Sequence, residues 1–142
     1  MSAPDSTKTA LLVSKRFAAA PDKVFAAWMD PDSVGKWLSP FGTARARIDP
    51  RVGGVFQIVM VGPDAELEHT GEDLEIDRPR RLVFTWKSPY TGPEPSVVTV
   101  ELRPDGSGTE LTLRHERLPE EHVEPHRGGW AQILENLEKQ LV

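Results

Sequence analysis

The sequence predicts an α+β fold: an antiparallel sheet covered by a long C-terminal helix. Three observations predict it. A pair of short helical segments lies near the N-terminus, strand-like segments then run without interruption to residue 117, and the chain closes on a stretch with a single apolar helical stripe. The first element, "TALLVSKRF", is aliphatic with a polar break and reads as a strand. Residues 1–8 before it are small and polar and read as a flexible tail, which leaves residues 9–142 as one domain.

The period changes in "AAAPDKVFAAWMDPDSVGKWL". Pro21 suits the first position of a helix, where its missing N–H has no partner to lose. Val24, Phe25 and Trp28 then share a face. The "DPDS" step ends this helix and caps a second one carrying Val34, Trp37 and Leu38.

Six strand signals follow: "ARARI", "GGVFQIVMVG", "HTGEDLEID", "RLVFTWK", "SVVTVEL" and "TELTLRHER", separated by turn-forming "VGPDAE", "DRPR", "SPYTGPEP" and "RPDGSG". Short polar turns between successive strands imply an antiparallel meander with one dry face. Side chains alternate along a strand, so Phe56, Ile58, Met60, Phe84, Trp86 and Val98 are expected to point inward. The same parity, counted from Leu74 and Ile76, turns Glu72 inward. Counted from Leu111 and Leu113, it turns His115 inward. Arg45, Arg47 and Arg51 are expected on a solvated face.

In "LPEEHVEPHRGGWAQILENLEKQLV" the last helix is expected to start near Pro125. Trp130, Ile133, Leu134, Leu137 and Leu141 form its stripe. Gly128 and Gly129 are poor helix formers, each costing about 1 kcal/mol against alanine in a helix interior. Their pairing suggests close backbone approach, with Trp130 entering the space between helix and sheet.

The order of these elements, and four stretches in it ("AAAPDKVFAAWMDPDSVGKWL", "GGVFQIVM", "GEDLEIDRPRRLVFTW" and "HRGGW"), resemble the AHSA1-type branch of the SRPBCC superfamily, named for activators of the Hsp90 ATPase. The resemblance covers roughly residues 10 to 142. It implies the helix-grip fold (START-like or Bet v 1-like), a curved sheet wrapped around the last helix. Relatives of that fold hold apolar or amphipathic molecules between helix and sheet. Some are polyketide cyclases or aromatases, some lipid carriers, and some bind a chaperone.

Binding of a hydrophobic or amphipathic small molecule is therefore the leading expectation. The candidate cavity residues are Trp37, Phe41, Phe56, Ile58, Met60, Glu72, Phe84, Trp86, Val98, His115, Trp130 and Leu134. Each has a plainer reading: Trp130 as core packing, Glu72 as a strand-end residue reaching water, His115 as a hydrogen-bonded histidine, and Trp37 with Phe41 as a plug instead of a gate. A cyclase-like enzyme using Glu72 or His115 as acid–base groups is the second expectation. Contact with an Hsp90-type chaperone is the third, ranked last because the eukaryotic activators carry a further N-terminal domain.

Other classes find little support. A net charge of −5 argues against nucleic acid as the partner. Without cysteine there is no disulfide and no thiolate site. "MSAPDSTKTA" has no apolar core of a signal peptide, and no stretch is apolar enough to span a bilayer, so a cytoplasmic protein without membrane contact is expected. The histidines His69, His115, His122 and His126 do not make a zinc motif, because Pro125 disturbs the spacing of the last two. No nucleotide loop or nucleophile elbow is present, so no cofactor is expected. An exposed sheet face or edge leaves a homodimer open.

Overall fold

A computed structural model describes residues 10–141. The tail expected over residues 1–8 lies outside the described residues. The elements run β1 (Leu11–Phe17), α1 (Pro21–Met29), α2 (Pro31–Trp37), β2 (Ala44–Ile48), β3 (Val55–Val61), β4 (Glu66–Asp77), β5 (Arg81–Trp86), β6 (Ser96–Asp105), β7 (Gly108–Glu116) and α3 (Val123–Gln140). A 3₁₀ turn, Glu120–His122, leads into α3. All strands are antiparallel, in the order β1-β7-β6-β5-β4-β3-β2. The strand after α2 therefore lies at one edge of the sheet and β1 at the other.

Local chemistry explains the helix boundaries. Pro21 and Pro31 each open a helix. Asp30 ends α1 and caps α2, its carboxylate accepting the Asp32 N–H at 3.0 Å. Val24, Phe25 and Trp28 are buried from α1, and Val34 and Trp37 from α2. Trp28 meets Trp37 edge-on with ring centroids 4.8 Å apart, a geometry worth about 0.5–1.5 kcal/mol beyond area burial.

Pro125 does not delay α3. The helix starts at Val123, so Pro125 falls in the first turn, where no intrahelical N–H bond is lost. His122 and His126 keep their helical spacing: His126 Nδ1–H donates to the His122 carbonyl at 2.7 Å. The apolar stripe is buried at Trp130, Ile133, Leu134 and Leu137. Polar contacts pin the helix to its surroundings. Lys15 on β1 pairs with Glu135 at 2.9 Å, and Asn136 donates to the Ser39 carbonyl at 2.8 Å, holding the loop after α2 against α3.

Strand parity holds on β3, β5 and β7 and fails on β4. Phe56, Ile58, Met60, Leu82, Phe84, Trp86, Leu111, Leu113 and His115 are all buried. On β4 the pairing with β5 shifts register between Asp73 and Glu75, a β-bulge that leaves Leu74 exposed. The bulge coincides with a second backbone partner: Asp73 N–H donates to the Gly54 carbonyl at 2.9 Å and the Asp73 carbonyl accepts from Gly53 N–H at 2.8 Å, tying the β2–β3 loop to β4. Upstream of the bulge Leu67, His69, Gly71 and Asp73 face the core side, while Glu72 pairs with Val55 on the outer face. Gly71 is required there. A Cβ on it would lie 2.3 Å from the Phe56 ring and 2.0 Å from the Thr85 carbonyl.

Candidate functional site

The interior between α3 and the sheet is divided by a row of aromatic rings. Trp86 lies 5.4 Å from Trp130, and Trp130 lies 6.4 Å from Trp28, centroid to centroid. On the side of α1 and α2, Phe56, Phe84, Trp28, Val34, Leu38 and Leu82 pack until a void of about 20 Å³ is left. On the other side, under the first half of α3, a cavity of about 310 Å³ stays open. That volume lies at the lower end of small-molecule sites.

Met60, Leu67 and Trp86 from the sheet and Trp130 and Ile133 from α3 form the apolar floor and roof. Pro40, Tyr90, His122 and Pro125 complete the wall, with Tyr90 half-exposed at the rim and its ring 5.6 Å from that of His122. His69, His126 and Gly129 supply the remaining surface. Among the described residues, no Lys, Arg, Asp or Glu lines this cavity.

A buried hydrogen-bond chain sets the position of Trp130. Its indole N–H can only donate, and it donates to His115 Nδ1 at 2.9 Å. The neutral His115 ring therefore carries its proton on Nε2, which lies 2.7 Å from Ser96 Oγ. Ser96 in turn donates to the Trp86 carbonyl. A second proton on His115 would point an N–H at the indole N–H. Burial, with the fields of His126 and His69, pushes the His115 pKa down to about 3, in agreement with that geometry. His115 is thus a locked neutral ring that links α3 to β5, β6 and β7, and both its nitrogens are committed.

His69 stands differently. It is only 3% exposed, stacks on Trp86 at 4.5 Å, and its Nδ1 has no hydrogen-bond partner. Burial, then the nearby His126, lowers its pKa to about 4, although the Leu67 and Ile58 carbonyls act the other way. Burial also lowers the pKa of His126, against the effect of the His122 carbonyl.

Of the residues singled out from the sequence, Met60, Trp86 and Trp130 line the cavity. Phe56, Ile58 and Phe84 surround the small void instead, with Trp86 shared between the two. Val98, Leu134 and His115 are buried in packed core beside them. Three placements need correction. Trp37 is fully buried, edge-on to Trp28 and donating to Ser33 Oγ, so it is core and not a gate. Phe41 is 60% exposed and packs near Gly62, because the turn after Pro40 carries it outward; Pro40 itself reaches the cavity. Glu72 lies in a shallow groove on the outer face with Arg47, Gln57 and Lys87, since the bulge separates its parity from that of Ile76. The inward carboxylate of β4 is Asp73, whose pKa burial and nearby Asp49 raise to about 6.

The two glycines of α3 are not packing devices either. A Cβ on Gly128 would meet nothing within 4 Å, and one on Gly129 would touch only Pro40, at 3.7 Å. What Gly129 provides is an uncluttered helix surface facing the cavity. Parity counted from Leu74 and Ile76, at and beyond the bulge, hides His69 and Leu67 as lining residues. The signal that finds them is pairing with β3, where Ile58 faces His69 and Met60 faces Leu67.

The family model for Activator of Hsp90 ATPase homolog 1-like proteins matches residues 18–141. No curated protein matches the sequence significantly. Among solved structures, protein NE0264 of Nitrosomonas europaea superposes with a TM-score of 0.82 at 23% identity, covering 96% of both chains. CalU16 of Micromonospora echinospora gives 0.69 at 28% identity, over 90% of this chain and 73% of that one. PFC0360w of Plasmodium falciparum, described as an HSP90 activator, gives 0.76 at 26% identity, over 94% of this chain and 96% of that one.

Proposed function

The chain belongs to the AHSA1 family, and on that premise we propose that it binds a hydrophobic or amphipathic small molecule in the cavity beneath the first half of α3. One observation carries the reading. The interior is packed almost solid on one side of Trp86 and left open by about 310 Å³ on the other. A core has no stability reason to keep such a space, since unfilled volume forfeits dispersion contacts. Apolar walls with a few polar groups are the usual form of a ligand site.

Acid–base catalysis through Glu72 or His115 has no geometric support: the first lies on the outer face, and the second has both ring nitrogens bonded. The reading is therefore binding without chemistry by those two groups.

The test is a titration with the neutral fluorescent probe N-phenyl-1-naphthylamine. Saturable enhancement is expected in the wild type and a loss of at least tenfold in affinity in Gly129→Leu, whose side chain would grow into the cavity mouth beside Pro40. Equal binding by both proteins would place the probe elsewhere and end this reading. A second reading is favoured by the structural likeness to an HSP90 activator. It expects a purified Hsp90-type chaperone to retain the protein and to hydrolyse ATP faster in its presence; unchanged turnover would remove it.

A further inference from the structure

We infer that His126 Nε2 is the polar anchor of the cavity, and that the ligand is an apolar molecule carrying a hydroxyl that donates to this nitrogen. The inference rests on the reading of the cavity as a ligand site and names the class of ligand.

The placement of the ring comes first. His122, Pro125, His126, Gly129, Trp130 and Ile133 are the α3 residues in the cavity wall. Helical spacing sets His126 between Pro125 and Gly129 on one flank and Trp130 on the other, so its side chain leaves α3 on the side that faces the sheet. Two observations agree. The ring meets that of His115 on β7 edge-on, with centroids 5.2 Å apart, and its field reaches both His115 and His69 on β4.

The bond at the other nitrogen fixes what Nε2 offers. The His122 carbonyl only accepts, so Nδ1, 2.7 Å from it, carries the proton. Burial lowers the His126 pKa despite the opposing pull of the His122 carbonyl, so at pH 7 the ring is neutral and Nε2 is a bare lone pair. That nitrogen has no partner among the described residues. It is not one of their buried orphan atoms either, which are Trp28 Nε1, His69 Nδ1 and Asp73 Oδ2. An accessible lone pair on the sheet-facing side of α3 opens onto the cavity, whereas His69 Nδ1 is closed in.

A lone pair selects a hydrogen-bond donor. A carboxylate only accepts, and no lysine or arginine lines the cavity among the described residues to balance it. An ammonium donates, but no Asp or Glu lines the cavity to balance that charge. A hydroxyl donates without bringing a charge. The Tyr90 hydroxyl and the His122 ring, at the rim, also have no partner among the described residues. Each can donate or accept, so neither discriminates between a donor and an acceptor on the ligand. His126 does.

The experiment compares 2-naphthol, 2-methoxynaphthalene and 2-naphthoate by titration calorimetry at pH 7. The methyl ether keeps the oxygen and loses the donor. In the wild type, naphthol is expected to bind about tenfold more tightly than the ether, and naphthoate more weakly than naphthol. In His126→Asn, whose amide can still donate to the His122 carbonyl, the two affinities should become equal while the ether still binds. That equality would also show that the added methyl fits. In the wild type, the ¹⁵N resonance of His126 Nε2 should move upfield with naphthol and stay still with the ether, a readout that needs no variant. Equal affinities for naphthol and ether in the wild type would overturn the role of His126 and leave the cavity reading intact. A naphthol advantage that survives His126→Asn and disappears in Tyr90→Phe would overturn it too, in favour of the rim. Tightest binding by naphthoate would overturn the hydroxyl class. Failure of all three to bind would overturn the cavity reading itself, and this inference with it.

Discussion

The two halves of the interior, one on each face of Trp86, begin from similar ingredients and end differently. Each has aromatic walls, and each holds a buried polar side chain with an unpaired atom: Asp73 Oδ2 on the packed side and His69 Nδ1 on the open side. On the packed side, α1 and α2 lay Trp28, Val34 and Leu38 over the sheet, and the remaining void of about 20 Å³ has room for little more than a water molecule. On the open side the cover is the glycine-bearing first half of α3 and the Pro40 loop, and about 310 Å³ is left. The difference teaches that the sheet alone does not decide between core and site. The side chains brought by the covering helices do.

The largest expected effect tests that contrast directly. Phe84→Ala, in the packed half, should cost about 3–5 kcal/mol, because it deletes a ring closely surrounded by neighbours. Met60→Ala, in the open half, should cost less than about 2 kcal/mol, since one side of Met60 already faces the cavity. Urea unfolding of both variants measures the gap. Equal costs would mean that the cavity closes in solution, and the comparison would fail.

A smaller effect sharpens the electrostatic side. Asp73 has its pKa raised by burial, then by Asp49, from 3.8 to about 6. The folded protein therefore binds an additional proton between those values. The stability this gives is full below about pH 4 and is lost as the pH rises through about 6. His69 runs in the opposite sense. Its pKa is lowered to about 4, so its contribution is full above about 6.5 and is lost as the pH falls. Asp73→Asn should raise unfolding free energy at pH 7 by about 1 kcal/mol, with no gain at pH 4. A gain that persists at pH 4 would show that the carboxylate charge is not the cause.

The smallest effect separates the two glycines. Gly128→Ala adds a methyl where nothing lies within 4 Å. It should stabilise by up to about 1 kcal/mol in thermal melts and leave probe binding unchanged. Weakened probe binding would show that the cavity extends around α3 to the face that carries Gly128.

Much of this was legible in the chain. The order of elements, the helix start at Pro21 and the cap at Asp30, the inward faces of β3, β5 and β7, and the stripe of α3 follow from periodicity and local backbone chemistry, which act over a few residues. Burial of His115 was legible for the same reason. Its role was not, because the partners that lock it, Ser96 and Trp130, lie 19 and 15 residues away and meet only when β6 and α3 pack.

What the tertiary structure alone decided is where space remains and which polar atoms face it. The bulge at Leu74 exchanges Glu72 for Asp73 on the inner side, and a backbone pairing with Gly53 and Gly54 accompanies it, about twenty residues upstream. Phe41 lies outside and Pro40 inside at the turn where Asn136 holds the Ser39 carbonyl. Period-two and period-3.6 patterns record which face of an element is dry. They carry no information on whether the opposing face fills the volume above it, since that depends on the separation and shape of elements distant in sequence. The sequence by itself determined a sheet gripping a helix around an apolar interior. Only the seating of α3 on β1 and α2, which leaves space between it and β3, β4 and β5, decided that part of that interior is a cavity, with His69 in its wall.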